Sequence, residues 1–147
     1  MIINKKGKTR IMKFYKCNIC GQVVAKAIDS GADLICCNEV MGEITPKYNE
    51  EGLTEKHVPT YKIKDNKLTV TVGSVIHPST DEHYICWVFI ETNKGNQRKF
   101  IKPGEKPEVS FCLDKDEKVL AIYSYCNLHS LWMQKVEKEC KPCSIKK

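Results

Sequence analysis

The chain has 147 residues, 41% of them hydrophobic, with a formal charge of +6. A chain of that size buries one modest core with room for a small metal-stapled module, so no more than two units are expected. The longest apolar stretch, Tyr84 to Ile90, is far too short to span a bilayer, and the basic N-terminus has no apolar run behind it. These features predict a protein with no membrane contact, in the cytoplasm. The nine cysteines are an odd number at metal-ligand spacings, which argues for a reducing compartment rather than a disulfide scaffold. Much of the positive charge sits at the two ends, at Lys5, Lys6, Lys8 and Arg10 and at Lys138, Lys141, Lys146 and Lys147. With no helix carrying a basic stripe between them, no nucleic-acid partner is expected. A net positive field still raises the encounter rate with a small anion.

In chain order, residues 1–11 lack apolar periodicity and read as an N-terminal extension. Residues 12–45 form a cysteine-rich module with turn signals at Gly21, Ser30-Gly31 and Gly42, too poor in apolar residues to fold without a metal. A second unit spans 46–134, opened by the polar stretch Pro46 to Gly52, which fits a linker. There the pattern turns to strands. Leu68-Thr69-Val70-Thr71-Val72 alternates with period two, and Tyr84 to Ile90, Val109 to Leu113 and Val119 to Tyr125 are rich in branched and aromatic residues. Turn signals at Asp65-Asn66, Asn93 to Asn96, Lys102-Pro103-Gly104 and Asp114 to Asp116 divide them, so the fold class expected is mainly β, a sandwich of short strands. Leu128 to Val136 is expected as a short closing helix or coil, and 135–147 as a basic tail.

The first module carries Cys17-x-x-Cys20 and, fifteen residues later, the adjacent pair Cys36-Cys37. Two thiolates two residues apart grip one ion from a turn, and Gly21 frees the backbone there. Neighbouring side chains must twist to reach the same ion, so a distorted tetrahedron is expected. Such a site holds iron or zinc, and spacing does not choose between them. The other reading of Cys36 and Cys37 is a vicinal disulfide or two small buried hydrophobes.

The chain has four histidines, in Glu55-Lys56-His57, His77-Pro78, His83-Tyr84 and Cys126-Asn127-Leu128-His129. One histidine alone is as often a satisfied polar residue as a ligand; four with a cysteine are a stronger signal. Four imidazoles and a thiolate exceed a closed tetrahedral zinc shell and suit a five-coordinate iron with one open position. Strand alternation would put Glu55 and His57 on one face and Lys56 on the other, with a bend at Val58-Pro59 able to redirect them. Without the histidine, Glu55 and Lys56 would read as an exposed charge pair. Trp87 and Trp132 read as core or site-wall aromatics. Cys86 and Cys112, in apolar strands, read as inert buried thiols, and Cys140-Lys141-Pro142-Cys143 as an incidental pair.

Three runs carry a resemblance: Glu55-Lys56-His57-Val58-Pro59; Gly73-Ser74-Val75-Ile76-His77-Pro78 with His83-Tyr84-Ile85 and Trp87; and Tyr125-Cys126-Asn127-Leu128-His129 with Trp132. Together they resemble the superoxide reductases, and with the cysteine module in front the two-iron form, desulfoferrodoxin, over roughly residues 12–133. The resemblance implies a desulforedoxin-like module followed by an immunoglobulin-like β-sandwich, usually dimeric. It implies His57, His77, His83 and His129 as equatorial ligands of an iron and Cys126 as its axial sulfur, with Cys17, Cys20, Cys36 and Cys37 on a second iron that zinc can replace. It implies that Glu55 ligates the oxidised iron, that Lys56 draws in superoxide, and that rubredoxin or a similar small carrier returns the electron. Two departures stand out: Ser79 follows Pro78 where methionine is common, and Ser130 follows His129 where glycine is common. The competing readings are a rubredoxin-like electron carrier without superoxide turnover and a zinc-stabilised binding module, which leaves the fifth ligand without a purpose.

Overall fold

The computed structural model describes residues 12–48 and 53–136. The expected N-terminal extension, positions 49–52 of the linker, and the tail cysteines Cys140 and Cys143 lie outside them.

Five short strands build the first unit: β1 (Phe14–Lys16), β2 (Val23–Ala25), β3 (Ile35–Cys36), β4 (Glu39–Val40) and β5 (Gly42–Ile44). They form a β2-β1-β5 sheet and a β3-β4 hairpin. One helical turn, α1 (Thr54–His57), then leads into β6 (Pro59–Lys64), β7 (Lys67–Val72), β8 (Ile85–Thr92), β9 (Gly95–Phe100), β10 (Glu108–Cys112), β11 (Val119–Cys126) and β12 (Ser130–Lys135). These strands make two antiparallel sheets, β10-β7-β6 and β12-β11-β8-β9.

The period-two pattern of β7 turns Leu68, Val70 and Val72 inward, where with Phe111 they meet Ile85, Val88, Ile90 and Ile122 of the other sheet. Each such side chain contributes about 1.5–3 kcal/mol by leaving water. The longer apolar runs of β8 and β11 have a separate cause: both faces of their sheet are covered. Trp87, Phe89, Tyr123, Tyr125, Leu131 and Met133 form a second cluster on the outer face, closed by Phe14 with Met12, Val23 and Ile44 of the first unit. The Phe14 ring lies 5.6 Å from Trp87, 5.2 Å from Phe89 and 5.2 Å from Tyr123. Glu91 adds a polar clamp, accepting hydrogen bonds from the Met12 amide at 3.2 Å and the Tyr123 hydroxyl at 3.3 Å.

Three local expectations are corrected. The segment after Leu128 is a strand, because Leu131 and Met133 fill the outer cluster while Trp132 turns to the opposite face, and the ladder to β11 runs from Ser130 to Lys135. Pairing therefore reaches into the stretch assigned to the tail, and the Val136 amide binds the Leu120 carbonyl at 3.1 Å. Glu55, Lys56 and His57 lie on a helical turn rather than a strand, closed by the Val58 amide on the Thr54 carbonyl at 2.9 Å and ended by extended Val58 before Pro59. Cys112 is exposed, because it alternates with the fully buried Phe111 on β10.

Candidate metal centres

Cys17, Cys20, Cys36 and Cys37 bring their sulfurs within 4.8 Å of one another. The first two sit on a knuckle in which Gly21, at φ +78°, lets its amide return to the Cys17 carbonyl at 3.0 Å. The adjacent pair reaches the same point through the β3-β4 hairpin: its two loop residues, Cys37 and Asn38, both have positive φ, 51° and 60°, the geometry of a type I′ turn. The sulfur of Cys20 lies 3.6 Å from that of Cys36, and Cys36 lies 4.0 Å from Cys37. Those separations exclude a vicinal disulfide and match the roughly 3.8 Å edge of a tetrahedron whose metal–sulfur bonds are about 2.3 Å. The backbone amides of Cys20 and Ile19 lower the Cys17 thiol to about 7. Contact with the sulfurs of Cys20 and Cys17 pushes Cys36 up to about 12 and raises Cys37. Four thiolates so close require a cation.

The second centre lies at one end of the sandwich. His57 closes α1, His77 follows the Gly73 loop, His83 lies in a bend two residues ahead of β8, Cys126 ends β11 and His129 precedes β12. One donor atom each from His57, His83, Cys126 and His129 falls within 4.8 Å of the others. His77 joins them through its Nε2, 3.1 Å from the Nε2 of His57. The His57 Nε2 is also 3.1 Å from the His129 Nδ1, which is 3.7 Å from the Cys126 sulfur.

Each ring is aimed from behind. The Nδ1–H of His57 donates to the Leu53 carbonyl at 2.8 Å, and that of His77 to the Pro78 carbonyl at 2.6 Å. A carbonyl only accepts, so both Nε2 atoms carry bare lone pairs pointed at each other. Burial pushes His77 down to about 4 and lowers His57 and His83, so the rings stay neutral, as ligation requires. The Nε2 of His83 is buried with no hydrogen-bond partner among the described residues. Burial also raises the Cys126 thiol, while the amides of His129 and Leu128 stabilise its thiolate. A nitrogen spacing of 3.1 Å is that of neighbouring ligands about 2.1 Å from one ion. The donor set therefore fits a cation, and four nitrogens with one thiolate fit iron better than tetrahedral zinc.

The surrounding wall is tied to the ligands. Buried Ser124 donates to the His57 carbonyl at 2.8 Å. The Trp132 ring stacks on His57 at 4.7 Å and 23°, and its Nε1–H donates to the His129 carbonyl at 3.0 Å. Glu55 and Lys56 are both exposed beside buried His57. The Glu55 carboxylate is not among the gathered donors, whereas the charge of Lys56 is felt at His83, where it adds to burial and His129 in lowering the ring. Sequence reasoning missed Ser124 and the carbonyls of Leu53 and Pro78, since nothing in a sequence marks a backbone oxygen as a ligand's support.

The Desulfoferrodoxin family profile matches residues 49–135, and that of the desulfoferrodoxin N-terminal domain matches residues 9–44. The chain is 42% identical over 120 residues to the desulfoferrodoxin of Nitratidesulfovibrio vulgaris, covering 82% of this chain and 93% of that one. It is 38% identical over 124 residues to a desulfoferrodoxin homolog of Archaeoglobus fulgidus, covering 84% and 97%. The crystal structure of the superoxide reductase from Treponema pallidum superposes with a TM-score of 0.72 at 35% identity, over 87% of this chain and 100% of that one. With both the cysteine module and the histidine centre inside the matched regions, the chain belongs to the desulfoferrodoxin family.

Proposed function

We propose that this chain is a superoxide reductase: superoxide takes up one electron and two protons to give hydrogen peroxide, and an outside donor returns the electron. The observation that carries this reading is the gathering of four imidazoles and one thiolate at one end of the sandwich, in a chain 35% identical to the Treponema pallidum superoxide reductase. Iron, held by His57, His77, His83, His129 and Cys126, supplies the redox step when bound, with Cys126 as the electron-rich donor.

The protein's own groups do the rest. Leu53, Pro78 and Ser124 hold His57 and His77 in register, so no ligand has to reorient during turnover. Lys56 presents its ammonium at the surface beside the centre, where a positive charge draws in a small anion. Glu55, exposed on the same turn, would offer its carboxylate as a further ligand to the oxidised iron. Water supplies the protons. Cys17, Cys20, Cys36 and Cys37 hold the second iron, which zinc can replace.

Rubredoxin or a similar small carrier is the proposed donor, and a homodimer in the cytoplasm the proposed setting. No described helix is long and apolar enough to cross a membrane. His129→Ala and Cys126→Ser test the reading together. Both are expected to abolish superoxide reduction while leaving the four-cysteine iron in place; retained turnover in either would favour a plain electron carrier.

A further inference from the structure

We propose that Lys47 is a positioning residue of the histidine centre: across the face of Trp132 it holds a fixed positive charge that raises the reduction potential of the iron bound there.

The Trp132 indole is fully buried and performs two contacts at once, stacking on the ligand His57 at 4.7 Å and donating its Nε1–H to the carbonyl of the ligand His129 at 3.0 Å. The Nζ of Lys47 lies 5.4 Å from the centre of that same ring, within cation–π range. Its placement is not left to a loose surface side chain. The Lys47 amide donates to the Leu131 carbonyl at 2.9 Å, and its carbonyl accepts the Met133 amide at 2.9 Å, so the residue pairs in parallel with Trp132 on the edge of β12. Pro46 stiffens the backbone just before it. The side chain is half-buried.

A positive charge held beside a poorly solvated metal centre favours the electron-rich state of that centre. The intervening indole and imidazole are buried, so water screens this charge less than it screens exposed Lys56. Two lysines thus divide the electrostatic work, Lys56 on the encounter and Lys47 on the equilibrium between oxidised and reduced forms. Lys47 also lies three residues beyond the end of β5, so the wall of the histidine centre is completed by chain arriving from the cysteine module.

The inference rests on the iron reading above and is tested without superoxide. The iron-loaded full chain is titrated optically against redox mediators, alongside Lys47→Met, Lys47→Gln and Lys47→Arg. The backbone hydrogen bonds of residue 47 survive in all three. The two neutral variants are expected to shift the oxidised-to-reduced ratio about tenfold toward oxidised iron at the parent's midpoint, which for one electron is about 59 mV. Arg restores the parent value, and the four-cysteine iron serves as an unchanged internal reference. Coincident midpoints for parent and neutral variants would overturn the proposal, as would an Arg variant displaced as far as Met. A parent that takes no iron at the histidine centre would overturn the iron reading and this one together.

Discussion

The Nε2 atoms of His57 and His77 stand 3.1 Å apart, on rings whose Nδ1–H groups are already committed to the carbonyls of Leu53 and Pro78. Two opposed lone pairs repel, and a cation between them converts that repulsion into ligation. Metal loading is therefore expected to stabilise the fold by about 2.7 kcal/mol at a hundredfold excess over the dissociation constant. His77→Ala should bind the metal at least about tenfold more weakly. Denaturant unfolding with and without a chelator, paired with metal titration, reads both effects.

Gly73 holds the loop that delivers His77 against the turn that delivers His57. At φ +87°, an added Cβ would run into the Val75 carbonyl and come within 2.7 Å of the Lys56 oxygen and 2.9 Å of the Glu55 oxygen. The loop is clasped there by the Val75 amide on the Glu55 carbonyl at 3.0 Å and the Gly73 amide on the Val58 carbonyl at 3.2 Å. Gly73→Ala is expected to cost about 2–3 kcal/mol and to lower iron content at the histidine centre while sparing the four-cysteine site. Unfolding and metal analysis check the two parts.

Ser130 presents the opposite case. It adopts φ +66° immediately after the ligand His129, a conformation that costs an L-residue about 1 kcal/mol. Ser130→Gly is expected to stabilise the protein by up to that amount without altering metal content, measured as a shift in thermal midpoint.

Glu91 links stability to pH. Burial raises its carboxyl above 4.5, outweighing the Met12 amide and the Tyr123 hydroxyl, which favour the ionised form. A carboxyl with a raised folded pKa binds more protons folded than unfolded between its two pKa values, so this group's contribution to stability grows as pH falls through that window and is lost as pH rises through the folded value. Relative to Glu91→Gln, the parent should therefore gain stability as pH is lowered from neutrality toward 4.5. Denaturation of both proteins across that range provides the comparison, and the variant cancels the contribution of every other titrating group.

The residues gathered at both candidate centres could be picked out in the sequence because cysteines and histidines at these spacings have few other uses, and the alternating Leu68, Val70 and Val72 exposed the sandwich. What stayed hidden depended on partners distant in the chain. The run Leu131-Trp132-Met133 carries no period, because all three are buried on one face or the other of a sheet covered on both sides. Strand β9, Gly95–Phe100, is mostly polar and lies at the edge of its sheet, so nothing in its composition marks it. Pro46 and Lys47 looked like linker, yet Lys47 pairs with Trp132 through main-chain groups that any residue would offer. The turn at Thr54–His57 is too short for periodicity to distinguish from a strand.

The most direct test of the account is the yield of hydrogen peroxide per superoxide consumed by the iron-loaded chain, with excess reduced rubredoxin present and the uncatalysed background subtracted. Reduction by an outside donor predicts a ratio near one. A ratio near one half, the signature of dismutation, or no rate above background would contradict it.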